Sequence, residues 1–206
     1  MCSSDLLALA PALRERLQLV GKCGIKLVAP ARPEHRIKHY DSSALHIASS
    51  VEASLRELRT DRLDLLLIHR PDPLMEADEV ARAFESLRAA GKVRHFGVSN
   101  FTPGQFELLA SRVPLATNQI ELHPLQRAAL TDGTLDQLQR LRIRPMIWSP
   151  LAGGALLAGG GETERRVQAA LGRIGERHGA SAATVAFAWL LRHPSRPLPV
   201  AGSRRI

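Results

Sequence analysis

Short apolar segments alternate along the chain with longer segments in which apolar residues recur every three or four positions. The short segments are rich in Val, Ile and Leu and predict buried β-strands at 17–20, 63–68, 93–98, 115–122, 145–149 and 198–200. The longer segments predict helices, and Ser42, Ser43, Thr102 and Ser181 stand where N-caps are expected. Strands without in–out alternation, each followed by a helix, predict a parallel sheet covered by helices.

Two α/β architectures have this pattern, the doubly wound open sheet and the (β/α)8 TIM barrel. An open sheet usually carries a Gly-rich nucleotide loop after its first strand. The glycines at 153–154 and 159–161 do not form a G-x-G-x-x-G motif, and no P-loop is present. The barrel is therefore favoured. Only six strand–helix units are visible where the fold needs eight, so we expect an incomplete barrel holding about strands 3 to 8.

Composition narrows the class of protein and its partners. The 206 residues include two cysteines and no apolar run of the ~20 residues that a membrane span needs. We therefore expect a cytoplasmic protein with no disulfide framework and no membrane partner. The net charge of +8 comes from 24 Arg and 4 Lys scattered among acidic residues, and aromatic residues make up 4%. This favours an arginine-rich surface over nucleic-acid binding.

The two ends of the chain do not resemble the ends of a barrel domain. Residues 1–6 correspond to the translation of a common sequencing-adapter tail, so we expect them to be an artefact. The chain stops a few residues after its last predicted strand. We therefore expect residues 7–206 to be a partial barrel domain.

Polar or aromatic side chains follow every predicted strand, where the catalytic groups of a barrel lie. Lys22 is either a lysine that extends to water or a cation that lowers a neighbour's pKa. His69 is either a structural histidine or an acid–base group. Trp148 is either a core residue or a platform on which a ring stacks. Lys22 and His69 together suggest acid–base chemistry on a polar substrate.

Two other enzyme classes use residue types found here. A metal-dependent barrel hydrolase would draw its ligands from His69, Asp72, Glu121 and His123, but such a site needs at least three ligands that converge on one point. A serine hydrolase would use Ser99, yet residues 97–101 lack the second glycine of the G-x-S-x-G elbow. We therefore predict no metal site.

Four segments together resemble the aldo-keto reductase family. They are His-Arg-Pro-Asp at 69–72, Gly-Val-Ser-Asn-Phe at 97–101, Asn-Gln-Ile-Glu at 118–121 and Trp-Ser-Pro-Leu at 148–151. The resemblance covers about residues 7–206 in the family's order and is nearest to a group of bacterial oxidoreductases. It implies hydride transfer from NADPH to a small-molecule aldehyde or ketone, without a metal.

The resemblance also implies roles for individual residues. Lys22 corresponds to the lysine that lowers the pKa of a proton-donating tyrosine, and His69 to the histidine that orients the substrate carbonyl. The residues expected to bind NADP(H) are Ser99, Asn100, Gln119, Trp148, Ser149, Leu151, Gly202, Ser203 and Arg205. The first three would hold the nicotinamide carboxamide, Trp148 would stack on the nicotinamide, the next two would line the pyrophosphate, and the last three would bind the 2′-phosphate.

One departure from the family pattern concerns the proton donor. The only tyrosine, Tyr40, does not correspond to the catalytic tyrosine, and the catalytic aspartate has no counterpart either. We therefore predict that the 206-residue chain alone has no reductase activity, which carbonyl-dependent NADPH oxidation would test. A non-catalytic, cofactor-binding subunit remains the alternative. The substrate, the physiological direction and the oligomeric state stay open.

Overall fold

The computed structural model describes residues 15–30, 33 and 35–202. The chain divides into two compact units, Met1–Ala116 and Thr117–Ile206. The elements of the first unit are β1 (Val20–Cys23), β2 (Ile25–Lys26), β3 (His39–Tyr40), α1 (Ala44–Leu58), β4 (Leu63–Ile68), α2 (Ala77–Ala89), β5 (Val93–Ser99) and α3 (Pro103–Ala110). Those of the second unit are β6 (Asn118–Glu121), α4 (Thr134–Arg140), β7 (Met146–Trp148), α5 (Glu162–His178), α6 (Ala182–Leu191) and β8 (Leu198–Pro199), with short 3-10 turns at Ala128–Leu130 and Ala152–Gly154.

In the first unit, β1, β4 and β5 pair in parallel in that order, and β2 and β3 form a separate antiparallel pair. Helix α1 packs against β1 and α2, and α2 packs against β5 and α3. The rings of Phe84 on α2 and Phe96 on β5 stack with their centroids 4.1 Å apart, and both are fully buried. Such an aromatic pair contributes about 1 kcal/mol beyond its buried area, so it helps to hold this helix on the sheet.

Three helices begin where the sequence predicts, although of the two serines before α1 only Ser43 is the cap, and Ser42 bonds to Asp72 instead. Ser43 Oγ accepts a hydrogen bond from the His46 amide, and Ser181 Oγ accepts one from the Thr184 amide. Thr102 forms a reciprocal capping box with Gln105, and Pro103 occupies the first turn of α3. Each cap gives a partner to an amide that the helix itself leaves unbonded, which contributes about 1 kcal/mol.

In the second unit, β6, β7 and β8 pair in parallel with β7 in the middle. Helix α5 packs on α6, and α6 contacts β8. One apolar cluster joins the strands to α4 and α6, and its buried members are Ile120, Leu122, Ala129, Leu135, Ile147 and Leu190. A second cluster, built on Leu156, Leu171 and Ala186, lies between α5 and α6. The predicted alternation of parallel strands and helices is thus confirmed in both units.

One strand prediction is wrong, and one pair of strands was not predicted. The first strand is Val20–Cys23 and not 17–20, so Lys22 lies inside it instead of after it. The backbone of Gly21 runs against the Leu63 side chain, and a Cβ at Gly21 would come within 2.8 Å of Leu63 Cδ1. Glycine at this position leaves room for that side chain, and a search for apolar runs overlooks a strand that contains it. The β2–β3 pair was not predicted, because its strands are too short to show a period.

No helix among residues 15–30, 33 and 35–202 is both long enough and apolar enough to cross a lipid bilayer.

Candidate active site

Lys22 and His69 project from the same face of the first unit's sheet. Lys22 on β1 lies opposite Leu67 on β4, and His69 follows Leu67 by two positions. Because side chains alternate between faces along a strand, residues two apart share a face. The His69 amide donates a hydrogen bond of 2.8 Å to the Cys23 carbonyl, which continues the pairing of the two chains up to His69. The ends of β1 and β4 thus bring an amine and an imidazole to one place.

Burial and neighbouring positive charges lower the pKa values of Lys22 and His69. Burial lowers the pKa of Lys22, and the positive charge of Arg70 lowers it further. Burial is the largest cause that lowers the pKa of His69 below its ordinary 6.5, and the positive charges of Lys22, Arg70 and Lys38 lower it further. Removing a charged group from water disfavours its charged form, and a neighbouring cation acts in the same direction. His69 is therefore held in its neutral form at neutral pH, in which one ring nitrogen donates and the other accepts a hydrogen bond.

Ser99 and Asn100 lie at the end of β5. Ser99 is 1% exposed, and Asn100 takes a left-handed backbone conformation with φ 61°. Asn100 Nδ2 donates to Ser99 Oγ at 2.8 Å and to the His69 carbonyl oxygen at 3.5 Å. Asparagine adopts this conformation more readily than most residues because its short polar side chain bonds locally. The pair links the end of β5 to the end of β4, beside His69.

In the second unit, Gln119 and Trp148 share one face of the sheet. Gln119 on β6 lies opposite Met146 on β7, and Glu121 lies opposite Trp148. Ile120 and Ile147 project to the other face, into the apolar cluster beneath the helices. This face therefore carries an amide, a carboxylate and an aromatic ring, of which Gln119 is 2% exposed.

The chain turns sharply after Trp148. Ser149 has a left-handed backbone conformation with φ 49°, and its carbonyl accepts a hydrogen bond from the Ala152 amide. Leu151 packs against the apolar cluster of α5 and α6, so its side chain supports the turn. Gly202 is exposed. Ser203 and Arg205, predicted to bind the 2′-phosphate, lie outside the described residues.

Two candidate metal ligands are used for structure instead. The Asp72 carboxylate accepts hydrogen bonds from the amide and hydroxyl of Ser42 and from the Leu74 amide. His123 Nδ1 accepts hydrogen bonds from two backbone amides, and its Nε2 lies 3.2 Å from the Glu121 carboxylate. Since Nδ1 is an acceptor, Nε2 carries the proton and donates to that carboxylate. Within the described chain no three His, Cys, Asp or Glu side chains are grouped to hold a metal ion.

One charged pair near β1 has no signal in the sequence. Lys26 Nζ lies 2.6 Å from the Asp41 carboxylate. Although burial raises the pKa of Asp41, its hydrogen bonds with Lys26 and Ser43 and the charge of Lys26 lower it well below its ordinary value. Asp41 follows Tyr40, which is 39% exposed on β3. The pairing of β2 with β3 brings Lys26 and Asp41 together. No periodic pattern in the sequence connects these two residues.

Comparison with known proteins gives this arrangement a family. The sequence model of the Aldo/keto reductase family matches residues 4–206. The chain belongs to the aldo/keto reductase family. It is 55% identical to the oxidoreductase YdhF of Escherichia coli over 204 residues, covering 98% of this chain and 67% of YdhF. It is 50% identical to a 6-dehydroglucose reductase of Agrobacterium fabrum over 201 residues, covering 96% of this chain and 66% of that enzyme.

Solved structures of the family show the same fold. A glycerol dehydrogenase from Gluconobacter oxydans superposes with a TM-score of 0.80 at 27% identity, covering 94% of this chain and 66% of that one. A thermostable aldo-keto reductase superposes with a TM-score of 0.75 at 27% identity, covering 98% and 66%. The predicted α/β TIM-barrel class and the predicted family of oxidoreductases are thereby confirmed. The chain spans about two thirds of the length of these relatives.

Proposed function

We propose that the protein reduces an aldehyde or ketone to an alcohol with hydride from NADPH. The observation that supports this most directly is the pair formed by Lys22 and His69. A lysine of lowered pKa and a neutral histidine on neighbouring strand ends can assist proton transfer to a carbonyl oxygen. The names of two relatives support this proposal, since one is an oxidoreductase and the other a 6-dehydroglucose reductase.

His69 acts on the substrate oxygen in this proposal. A neutral imidazole presents an N–H that donates a hydrogen bond to the carbonyl oxygen. This hydrogen bond strengthens as negative charge develops on the oxygen. Lys22 acts through the proton donor, because a cation nearby stabilises the donor's anion and lowers its pKa. The donor itself is not identified among the described residues, where Tyr40 lies on the β2–β3 pair.

The side chains proposed to bind the cofactor offer groups that suit a nicotinamide. Ser99 and Asn100 of the first unit, and Gln119 of the second, offer hydroxyl and amide groups of the kind that bind a nicotinamide carboxamide. The ring of Trp148 offers an aromatic face, and an offset ring pair contributes about 1 kcal/mol. NADPH supplies the hydride when bound. The residues proposed to select NADPH over NADH, Ser203 and Arg205, were inferred from the sequence alone.

A chimera tests the proposal. The part of YdhF that this chain does not match is joined to the chain, and oxidation of NADPH and of NADH is followed with a panel of aldehydes, including an oxidised sugar. We expect carbonyl-dependent turnover that is faster with NADPH. The 206-residue chain alone is expected to show none, because its only tyrosine is Tyr40.

Two results would contradict the proposal. A folded chimera that binds NADPH without turnover would support the cofactor-binding subunit instead. Activity that depends on an added divalent metal ion and not on NADPH would favour the metal-dependent barrel hydrolase. A chimera in which Lys22 is replaced by Met serves as the negative control, and YdhF itself as the positive control.

A further inference from the structure

A groove on the second unit lies between α5 and the loop that follows β6. It has a volume of about 740 Å³, and its lining residues are Pro124, Arg127, Thr163, Arg166, Val167, Ala169, Ala170, Leu171, Arg173, Ile174 and Trp189. Leu171 and Val167 form its floor, and both belong to the apolar cluster of α5 and α6. Trp189 is 37% exposed, which is high for so large an apolar side chain. The groove thus presents apolar surface that the described chain leaves open to solvent.

The charged residues of the groove all have one sign. Arg127, Arg166 and Arg173 line it, and no acidic residue does. Within the described chain, none of these three guanidinium groups forms a hydrogen bond or an ion pair. Arginine binds carboxylates readily because its planar fork matches their geometry. A complementary occupant must therefore combine apolar groups with negative charge.

The spacing of the arginines distinguishes between two kinds of occupant. Arg166 and Arg173 are seven residues apart on α5, which separates their Cα atoms by about 10 Å along the helix axis. A fatty acid offers a single carboxylate, whereas a partner helix offers carboxylates two turns apart, one for each arginine. The lining from Thr163 to Ile174 spans about 16 Å, or three helical turns, which suits a helix of that length.

A second copy of this chain is a poor occupant. Among the described helices, α1 and α2 are amphipathic and carry more acidic than basic residues. Their apolar faces are already buried, with Ile47 and Val51 on α1 and Val80 and Phe84 on α2 all at 0% exposure. Neither helix can therefore offer an apolar face to another molecule without leaving its own core.

We propose that the groove lined by Arg127, Arg166, Arg173 and Trp189 binds an acidic amphipathic helix of a partner protein. Leucine-like side chains of that helix would lie on Leu171 and Ile174, and its flanking carboxylates would pair with the arginines. This is the general helix-in-groove mode of recognition, in which anchors at i, i+3, i+4 and i+7 enter an apolar groove. The proposed interaction does not depend on carbonyl reduction.

A designed peptide serves as the probe. It has about 15 residues, so that it spans the groove, with leucines at i, i+3, i+4 and i+7 and glutamates flanking them. A peptide of the same composition in scrambled order is the control probe. Binding of each fluorescently labelled peptide to the 206-residue chain is measured by anisotropy.

Two double variants of equal net charge test whether the peptide binds in the groove. R166E/R173E reverses two arginines that line the groove, and R165E/R177E reverses two on the same helix that do not. We expect R166E/R173E to weaken binding of the probe at least about tenfold and R165E/R177E to leave it within about twofold. Circular dichroism of both variants checks that α5 is still formed.

Five outcomes would overturn the proposal. Absence of probe binding to the parent chain would do so. Equal losses in the two double variants, or equal binding of the scrambled peptide, would also do so, because each indicates general charge attraction. Displacement of the probe by dodecanoate, with dodecanoate binding that is itself lost in R166E/R173E, would assign the groove to a small amphiphile. Self-association of the parent chain that R166E/R173E abolishes would assign it to a second copy.

Discussion

The strand ends of the two units carry different chemistry. Those of the first unit bear two titratable groups, Lys22 and His69, whose pKa values are lowered by burial and by neighbouring positive charges. Those of the second unit bear an amide near the start of β6, Gln119, and an aromatic ring at the end of β7, Trp148, on a face backed by an apolar cluster. One fold pattern, a parallel strand followed by a helix, supports both sets.

This difference suggests a division of work. Proton transfer needs groups whose pKa values are tuned, and tuning requires burial together with a nearby charge. Binding of a cofactor ring needs fixed shape and hydrogen bonds, which an amide and an indole provide without a change in charge. We therefore expect changes in the first unit to act on the rate of the chemical step, and changes in the second to act on binding.

Replacing Lys22 by Met in the chimera gives the largest expected effect. Loss of the cation removes the stabilisation of the proton donor's anion, and kcat should fall at least about 100-fold. KM for NADPH should stay nearly unchanged. The control is Lys92→Met, since Lys92 pairs with Glu52 and directly precedes β5, at the opposite end of that strand from Ser99. Steady-state kinetics across pH makes the measurement, and a kcat near that of the parent would refute the role of Lys22.

Replacing Trp148 by Ala should act on binding. Loss of the stacking surface should raise KM for NADPH about tenfold, which equals about 1.4 kcal/mol, with kcat within about threefold of the parent. Trp148→Phe should recover most of the loss, because it keeps an aromatic face. The division between the units would be wrong if kcat fell as far as it does in Lys22→Met.

Asn100 and Ser149, two site residues with a left-handed backbone, offer a matched pair of substitutions whose expected effects on the free energy of unfolding have opposite signs. Asn100→Gly keeps the backbone conformation but removes the hydrogen bond to Ser99 Oγ, so it should lower the free energy of unfolding by about 1 kcal/mol. Ser149→Gly removes the cost of a left-handed serine, so it should raise that free energy by up to about 1 kcal/mol. Urea denaturation of the 206-residue chain measures both. Equal losses in the two variants would show that both side chains stabilise their turns.

The smallest expected effect is on the titration of His69. Removing the charge of Lys22 should raise the pKa of His69 toward 6.5, because Lys22 is one cause of its lowering. NMR titration of the imidazole follows the shift, with Lys92→Met as the control. Since the unfolded state binds this proton at a higher pH than the folded state, His69 makes the chain less stable as the pH falls below 6.5. A pH-independent stability in that range would contradict the lowered pKa.

Local signals predicted the helices well and the first strand poorly. Ser43, Thr102 and Ser181 cap their helices as expected, because an N-cap depends only on a side chain and an amide a few residues later. The first strand was placed three residues too early, because Gly21 and Lys22 interrupt the apolar pattern while the backbone continues extended. Glycine at that position makes room for a neighbouring strand, and a single segment carries no information about its neighbour.

The candidate site shows the same limit. The resemblance to the family named Lys22 and His69, and the register of β1 and β4 places them on one face. The roles of Asp72 and His123 could not be predicted, because a carboxylate or an imidazole suits a metal ion and a backbone amide equally well. Only their hydrogen bonds to Ser42 and to the loop after β6 show that they hold loops in place.

The sequence by itself determined the class of fold, the family and the helix starts, since these depend on periodicity, on short motifs and on contacts within one turn of a helix. The tertiary structure alone decided which groups meet. It pairs Lys26 with Asp41 through the β2–β3 hairpin, and it adds the charge of Lys22 to the environment of His69. It also leaves three arginines and Trp189 around an open apolar groove. Burial and electrostatic interaction depend on distance in space, which the order of residues does not specify.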